Sequence, residues 1–119
     1  MENKHMISVV ERYMDAFNNK DMSIIRDMYA EDAVVEDPVG TDPYVGMEAI
    51  LGFYQGAIDI GPTLSLNGPV RCAGKSAAFP FQVRMGDLTG NIIDVFDFND
   101  EGKVQHMRAY WGPENMSQG

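Results

Sequence analysis

Between Met6 and Phe17 the apolar residues Met6, Val10, Tyr13, Met14 and Phe17 recur at steps of three and four, the spacing that lines one face of a helix. The polar run Asn18-Asn19-Lys20-Asp21 ends that stripe. Asp21 is placed to cap a second, short helix that turns Ile24, Ile25, Met28 and Tyr29 inward. Ala33-Val34-Val35 then predicts a strand running into Glu36-Asp37-Pro38. Pro38 restricts the residue before it to extended backbone, so Asp37 belongs to a strand end. Asp42 to Gly46 predicts a loop, and Met47 to about Ala57 a third helix carrying Ile50, Leu51, Phe53 and Tyr54.

After Gly61-Pro62 the period changes. Short runs rich in β-forming residues follow, divided by turn signals at Asn67-Gly68, Gly74-Lys75, Gly86-Asp87, Gly90-Asn91 and Glu101-Gly102. Helices first and strands afterwards predict an α+β fold, three helices on one face of a mainly antiparallel sheet. Alternation sorts the strand residues by face. Ile92, Asp94, Phe96 and Phe98 share one side, and Ile93, Val95 and Asp97 the other. The same count groups Phe79, Phe81, Val83 and Met85, then Met107, Ala109 and Trp111, and puts Val35 with Asp37. Pro80 marks an edge or an irregular spot, because it has no N–H to donate to a ladder. Ile93, Val95 and Val104 form an outward apolar set suited to a covered second face.

Two carboxylates therefore face an apolar, aromatic-walled space. Burying an ionised carboxylate without a partner is so costly that the group normally keeps its proton. Arg84 and Arg108 fall on the face opposite Phe81 and Met107 and are poorly placed to pair with Asp94. For Asp94 the residues alone leave open a structural hydrogen bond or a functional role, and for Tyr13 a core tyrosine or a functional one.

Composition narrows the classes. The 119 residues suit a single domain, 1–119, and a 45% apolar share suffices for a core. Nine methionines fill gaps in such a core or form an adaptable wall around an apolar ligand. A formal charge of −9, with no cluster of Lys and Arg, argues against nucleic acid and anionic membrane as partners. The single cysteine, Cys72, allows no intramolecular disulfide and is expected to be a buried thiol in a reducing compartment. The polar start Met1-Glu2-Asn3-Lys4-His5 has no signal-like apolar stretch, so a cytoplasmic protein is expected. His5 and His106 have no metal-ligand spacing, and the acidic run from Glu31 to Asp42 lacks the pattern of a calcium loop. Neither a nucleophilic triad nor a glycine-rich phosphate loop is visible, so no metal or cofactor is expected.

Several segments together resemble a known family. Glu11-Arg12-Tyr13, the stretch from Met28 through Val34-Val35-Glu36-Asp37-Pro38-Val39-Gly40, Gly52-Phe53-Tyr54, Ile93-Asp94-Val95-Phe96 and Met107-Arg108-Ala109-Tyr110-Trp111 are similar, in order, to the bacterial Δ5-3-ketosteroid isomerases of the NTF2-like superfamily. The resemblance implies a conical α+β barrel enclosing a deep pocket. It implies Asp37 as general base, and Tyr13 and protonated Asp94 as an oxyanion hole. That family is a known instance of a carboxylic acid kept neutral by an apolar site, so this role is carried over with the resemblance. Tyr29 and Tyr54 match tyrosines that hold the oxyanion-hole tyrosine, and Trp111 an indole that approaches the base. Phe81, Val83, Met107 and Ala109 match the apolar wall around the steroid. The implied activity is cofactor-free conversion of 3-oxo-Δ5-steroids to their Δ4 isomers by a homodimer. The segment between Phe81 and Asp94 is shorter than in one branch of the family, by an even number of residues that keeps the faces in phase. Because one fold hosts many functions, an epoxide hydrolase or polyketide cyclase of the same fold, or a non-catalytic dimer binding an apolar ligand, remain the alternatives.

Overall fold

In the computed structural model, which describes residues 1–118, the first apolar stripe folds into helix α1 (Asn3–Asn18). It buries Met6, Val10, Tyr13, Met14 and Phe17 together with Val9 and Ala16. Helix α2 (Met22–Met28) starts at Asp21, whose carboxylate accepts from the Ser23 backbone N–H at 3.0 Å. Tyr29, expected on that helix, instead opens strand β1 (Tyr29–Glu36) in extended backbone and pairs with Val104. It stays buried, so the apolar signal was right while the element was not. Helix α3 (Met47–Asp59) buries Met47, Ile50, Tyr54 and Ile58, and leaves Leu51 and Phe53 half-buried.

The remaining strands are β2 (Tyr44–Val45), β3 (Thr63–Leu66), β4 (Arg71–Ala73), β5 (Ser76–Met85), β6 (Leu88–Phe98), β7 (Val104–Tyr110) and β8 (Met116–Gln118). They form one mixed sheet in the order β2-β1-β7-β6-β5-β3, with β4 added beside β5 and β8 beside β6. Only β1 and β7 pair in parallel; the other pairings are antiparallel. The sheet's inner face and the apolar sides of the helices enclose a single hydrophobic cluster.

Alternation along β6 is as predicted. Asp94, Phe96 and Phe98 are buried, Ile92 is half-buried, and Ile93 on the other face is 50% exposed. Pro80 occupies the place where the outer neighbour of β5 changes, between the β3 partner Leu66 (at Phe81) and the β4 partner Arg71 (at Ala78). Its missing N–H falls in a gap between two ladders, the irregular spot expected.

Three expectations fail for identifiable reasons. Val104 points inward and is fully buried, because the register slips between its pairing with Phe98 and that of His106 with Asp97. Gln105 is thus the extra residue of a bulge, which reverses the face of what precedes it. Gly90-Asn91 makes no turn; the hairpin turns at Gly86-Asp87, and Gly90 lies within β6 opposite Val83. A side chain at Gly90 has no room, since its Cβ would fall 2.6 Å from the Met116 sulfur and 2.8 Å from a Val83 methyl. Cys72 is half-buried at the sheet margin rather than in the core.

Candidate active site

Three phenols meet beneath the helices. The helical stripe of α1 supplies Tyr13, α3 supplies Tyr54, and the start of β1 supplies Tyr29; each is at most 2% exposed. The Tyr54 hydroxyl lies 2.6 Å from that of Tyr29 and 3.1 Å from that of Tyr13, so Tyr54 links the other two. Burial pushes all three hydroxyls well above the ordinary phenol range, which keeps them protonated. The Tyr13 ring is held by aromatic edges: Phe96 at 5.2 Å between centroids, Phe17 at 5.5 Å and Phe79 at 6.2 Å.

Asp94 comes up from the sheet side. It is 1% exposed, and its Oδ1 has no hydrogen-bond partner among the described residues. Desolvation raises its carboxyl well above the usual range, and the negative charge of Asp37 adds to the effect; the Tyr13 hydroxyl acts in the opposite sense. Burial of this kind favours the protonated carboxyl, the form able to donate a hydrogen bond.

Asp37, one residue beyond β1, is placed differently. It is half-buried, and the Trp111 indole N–H donates to its Oδ1 at 2.8 Å. Burial raises its carboxyl, and the indole bond lowers it by favouring the anion. The parallel pairing of β1 with β7 brings these residues together, with Glu36 opposite Arg108 and Trp111 just past the end of β7.

A cavity of about 260 Å³ joins Tyr13, Asp37, Asp94 and Trp111. The expected wall residues Phe81 and Val83 line it; Met107 and Ala109 do not. Those two are buried on β7, opposite Phe96 and Asp94 respectively. Tyr29 and Tyr54 are also outside the lining and stand behind Tyr13. Residues not expected in the wall complete it, among them Phe17, Phe53, Ile92 and Met116. Ile92 shares the Asp94 face and could have been found by alternation; Met116, on the terminal strand, carried no sequence signal.

Outside the cavity, polar groups pair with one another. Arg108 donates to Asp97 at 2.7 Å and Ser76 donates to the same carboxylate at 2.6 Å. His106 lies 2.6 Å from Glu36, and His5 2.9 Å from the Gly102 carbonyl. No group of side chains among the described residues is arranged to hold a metal ion, and no helix there is long and apolar enough to cross a membrane.

A three-helix cover on a curved mixed sheet, with a carboxyl pair inside, defines a class of small pocket domain, and the sequence agrees: residues 10–107 match the SnoaL-like domain. The chain belongs to this SnoaL-like, NTF2-like family. It is 38% identical over 113 residues to a steroid Delta-isomerase of Nocardioides simplex, covering 92% of this chain and 91% of that protein. A solved structure of the epoxide hydrolase/cyclase-like enzyme SalBIII, described for its role in pyran ring formation in the polyether salinomycin, is similar over all of both chains, with a TM-score of 0.90 and 27% identity. Family and fold are thus those expected from the sequence.

Proposed function

We propose that this protein isomerises 3-oxo-Δ5-steroids to 3-oxo-Δ4-steroids, with Asp37 as general base and with Tyr13 and protonated Asp94 as the oxyanion hole. The carrying observation is Asp94 itself, a fully buried carboxyl with an unpartnered oxygen, in the same apolar cavity as a second carboxyl of different environment. Opposed environments of this kind separate an acid from a base.

The ketone oxygen lies between the Tyr13 hydroxyl and the Asp94 carboxyl. Asp37 removes a proton from the carbon between the ketone and the double bond. Negative charge moves to the ketone oxygen, where two donors in a dry site stabilise it. The proton on Asp37 then returns to the far carbon of the dienolate, shifting the double bond into conjugation and restoring the base. Since one proton leaves and returns through one residue, the balance needs no co-reactant. The Trp111 bond helps Asp37 to start as an anion, and Tyr54 with Tyr29 fixes the Tyr13 hydroxyl. The relative named as a steroid Delta-isomerase supports the reading. A homodimer belongs with it, with the exposed Ile93 and Tyr110 of the outer sheet face as a contact surface.

The test is the rise in enone absorbance when purified protein meets 5-androstene-3,17-dione. Turnover is expected, and Asp37→Asn is expected to lower kcat by about 10³-fold, within the range a general base supplies. Absence of turnover, or turnover indifferent to that substitution, rules the reading out.

The likeness to SalBIII supports a second reading, epoxide opening. Asp94 would protonate the epoxide oxygen as its C–O bond breaks, and Asp37 would deprotonate the hydroxyl that forms the new bond. Conversion of an epoxide-bearing polyketide together with inertness toward the steroid ketone would select it. The higher identity to the isomerase favours the first reading.

A further inference from the structure

The cavity has a polar end and an apolar end. Tyr13, Asp37 and Asp94 make the first; Val83, Met85, Ile92 and Met116 are at the second. Asp94 and Gly90 lie four residues apart on β6, roughly 13 Å of extended backbone. A ligand anchored by an oxygen at Asp94 and lying along this strand therefore meets whatever covers Gly90.

What covers it is Met116. Strand β8 pairs with the start of β6 so that Met116 stands opposite Gly90. A Cβ on Gly90 would be 2.6 Å from the Met116 sulfur and 3.0 Å from its methyl carbon. The missing side chain is thus what seats the thioether, which crosses β6 there and lines the cavity. The thioether is a flexible, unbranched apolar stopper, and the strand that carries it is only three residues long.

We propose that Met116, seated over Gly90, closes the far end of the cavity and sets the length of ligand it accepts. The proposal rests on the isomerase reading for the anchoring of an oxygen at Tyr13 and Asp94. Under that reading Met116 discriminates among steroid ketones by the substituent at the ring end remote from the ketone, admitting small groups and resisting longer ones.

The test uses equilibrium titration of Trp111 fluorescence with para-alkylphenols of increasing chain length, whose oxygen can occupy the polar end without any reaction. Each added methylene is expected to tighten binding about fourfold while the chain is still being buried. Binding then stops improving at the length that reaches Met116. In Met116→Ala the break is expected at a longer chain, and Met116→Leu, which refills the space, is expected to return it close to the wild-type length. A break at the same length in Met116→Ala, no break in the wild type, or a uniform loss of affinity at all lengths would overturn the proposal. The last result would mean that Met116 only holds β8 in place. A cooperative thermal transition in both variants establishes that they fold. Turnover of 5-androstene-3,17-dione by the wild type is read separately, so failure of the isomerase reading is distinguished from failure of the length limit.

Discussion

Asp94 and Asp97 stand three residues apart on one strand and end in opposite states. Asp94 faces the helices, is fully buried, finds no cation, and its carboxyl is pushed well up by desolvation. Asp97 faces away from the core; burial raises its carboxyl, but the bonds it accepts from Arg108 and Ser76 together outweigh that and hold it below the usual range. The residue type is the same and the chain distance small. The strand's period of two, by sending odd and even positions to opposite faces, leaves one desolvated without a cation and the other bonded to one. Under the proposed function the first is part of the chemistry and the second only of the scaffold.

The two carboxyls are expected to differ most in their effect on activity. Asp94→Leu removes a donor from the proposed oxyanion hole and is expected to lower kcat by about 10²-fold or more, while Asp97→Leu is expected to leave kcat within about twofold. Equal losses in steady-state kinetics would end the distinction. Next in size is Tyr54→Phe. It deletes the hydroxyl between Tyr29 and Tyr13 and leaves two buried phenols short of a partner, at a cost of about 1–3 kcal/mol in stability. Chemical denaturation reads that loss, and kcat is expected to fall about tenfold with KM little changed if Tyr54 acts by positioning Tyr13.

The smallest effects are in the pH dependence of stability, and they have opposite signs. Unfolded, both carboxyls titrate near the ordinary value of about 3.9. Folded Asp94 titrates higher, so above that pH the folded protein holds a proton the unfolded chain has released. Stability therefore falls as pH rises from the unfolded value toward the raised folded one. Asp94→Asn removes this penalty and is expected to raise Tm at pH 7 by several degrees, with no gain below about pH 4. Folded Asp97 titrates lower, so its contribution is present above the unfolded value and is lost as pH falls through the folded one. Its pair with Arg108 is about a third exposed, with side-chain exposures of 32% and 27%. Solvent screening then limits the cost of Asp97→Asn to less than about 1 kcal/mol at pH 7. Thermal melts of both variants from pH 3 to pH 8 check the two slopes.

Much of this was legible along the chain because local periodicity is a property of the backbone. The stripe of α1 put Tyr13 inward, alternation put Asp94 with Phe96 and Phe98, and Pro38 set Asp37 at a strand end. The wall was less legible. Met107 and Ala109 share the inward face of Trp111 yet miss the cavity, because facing the core does not decide which neighbour stands in front. Val104 defeated the count outright, since the bulge at Gln105 inserts one residue into a period of two.

By itself, then, the sequence determined which side chains leave water: the three phenols, the Asp94 carboxyl and the alternating face around it, all consequences of contacts within a turn or a strand. Only the tertiary structure decided which of them meet. The parallel pairing of β1 with β7 brings Asp37 to Trp111, and the pairing of β8 beside β6 seats Met116 on Gly90, a residue that read as a turn until its neighbour was known. Those pairings join segments far apart in the chain, and no local period encodes which distant strand will supply a partner.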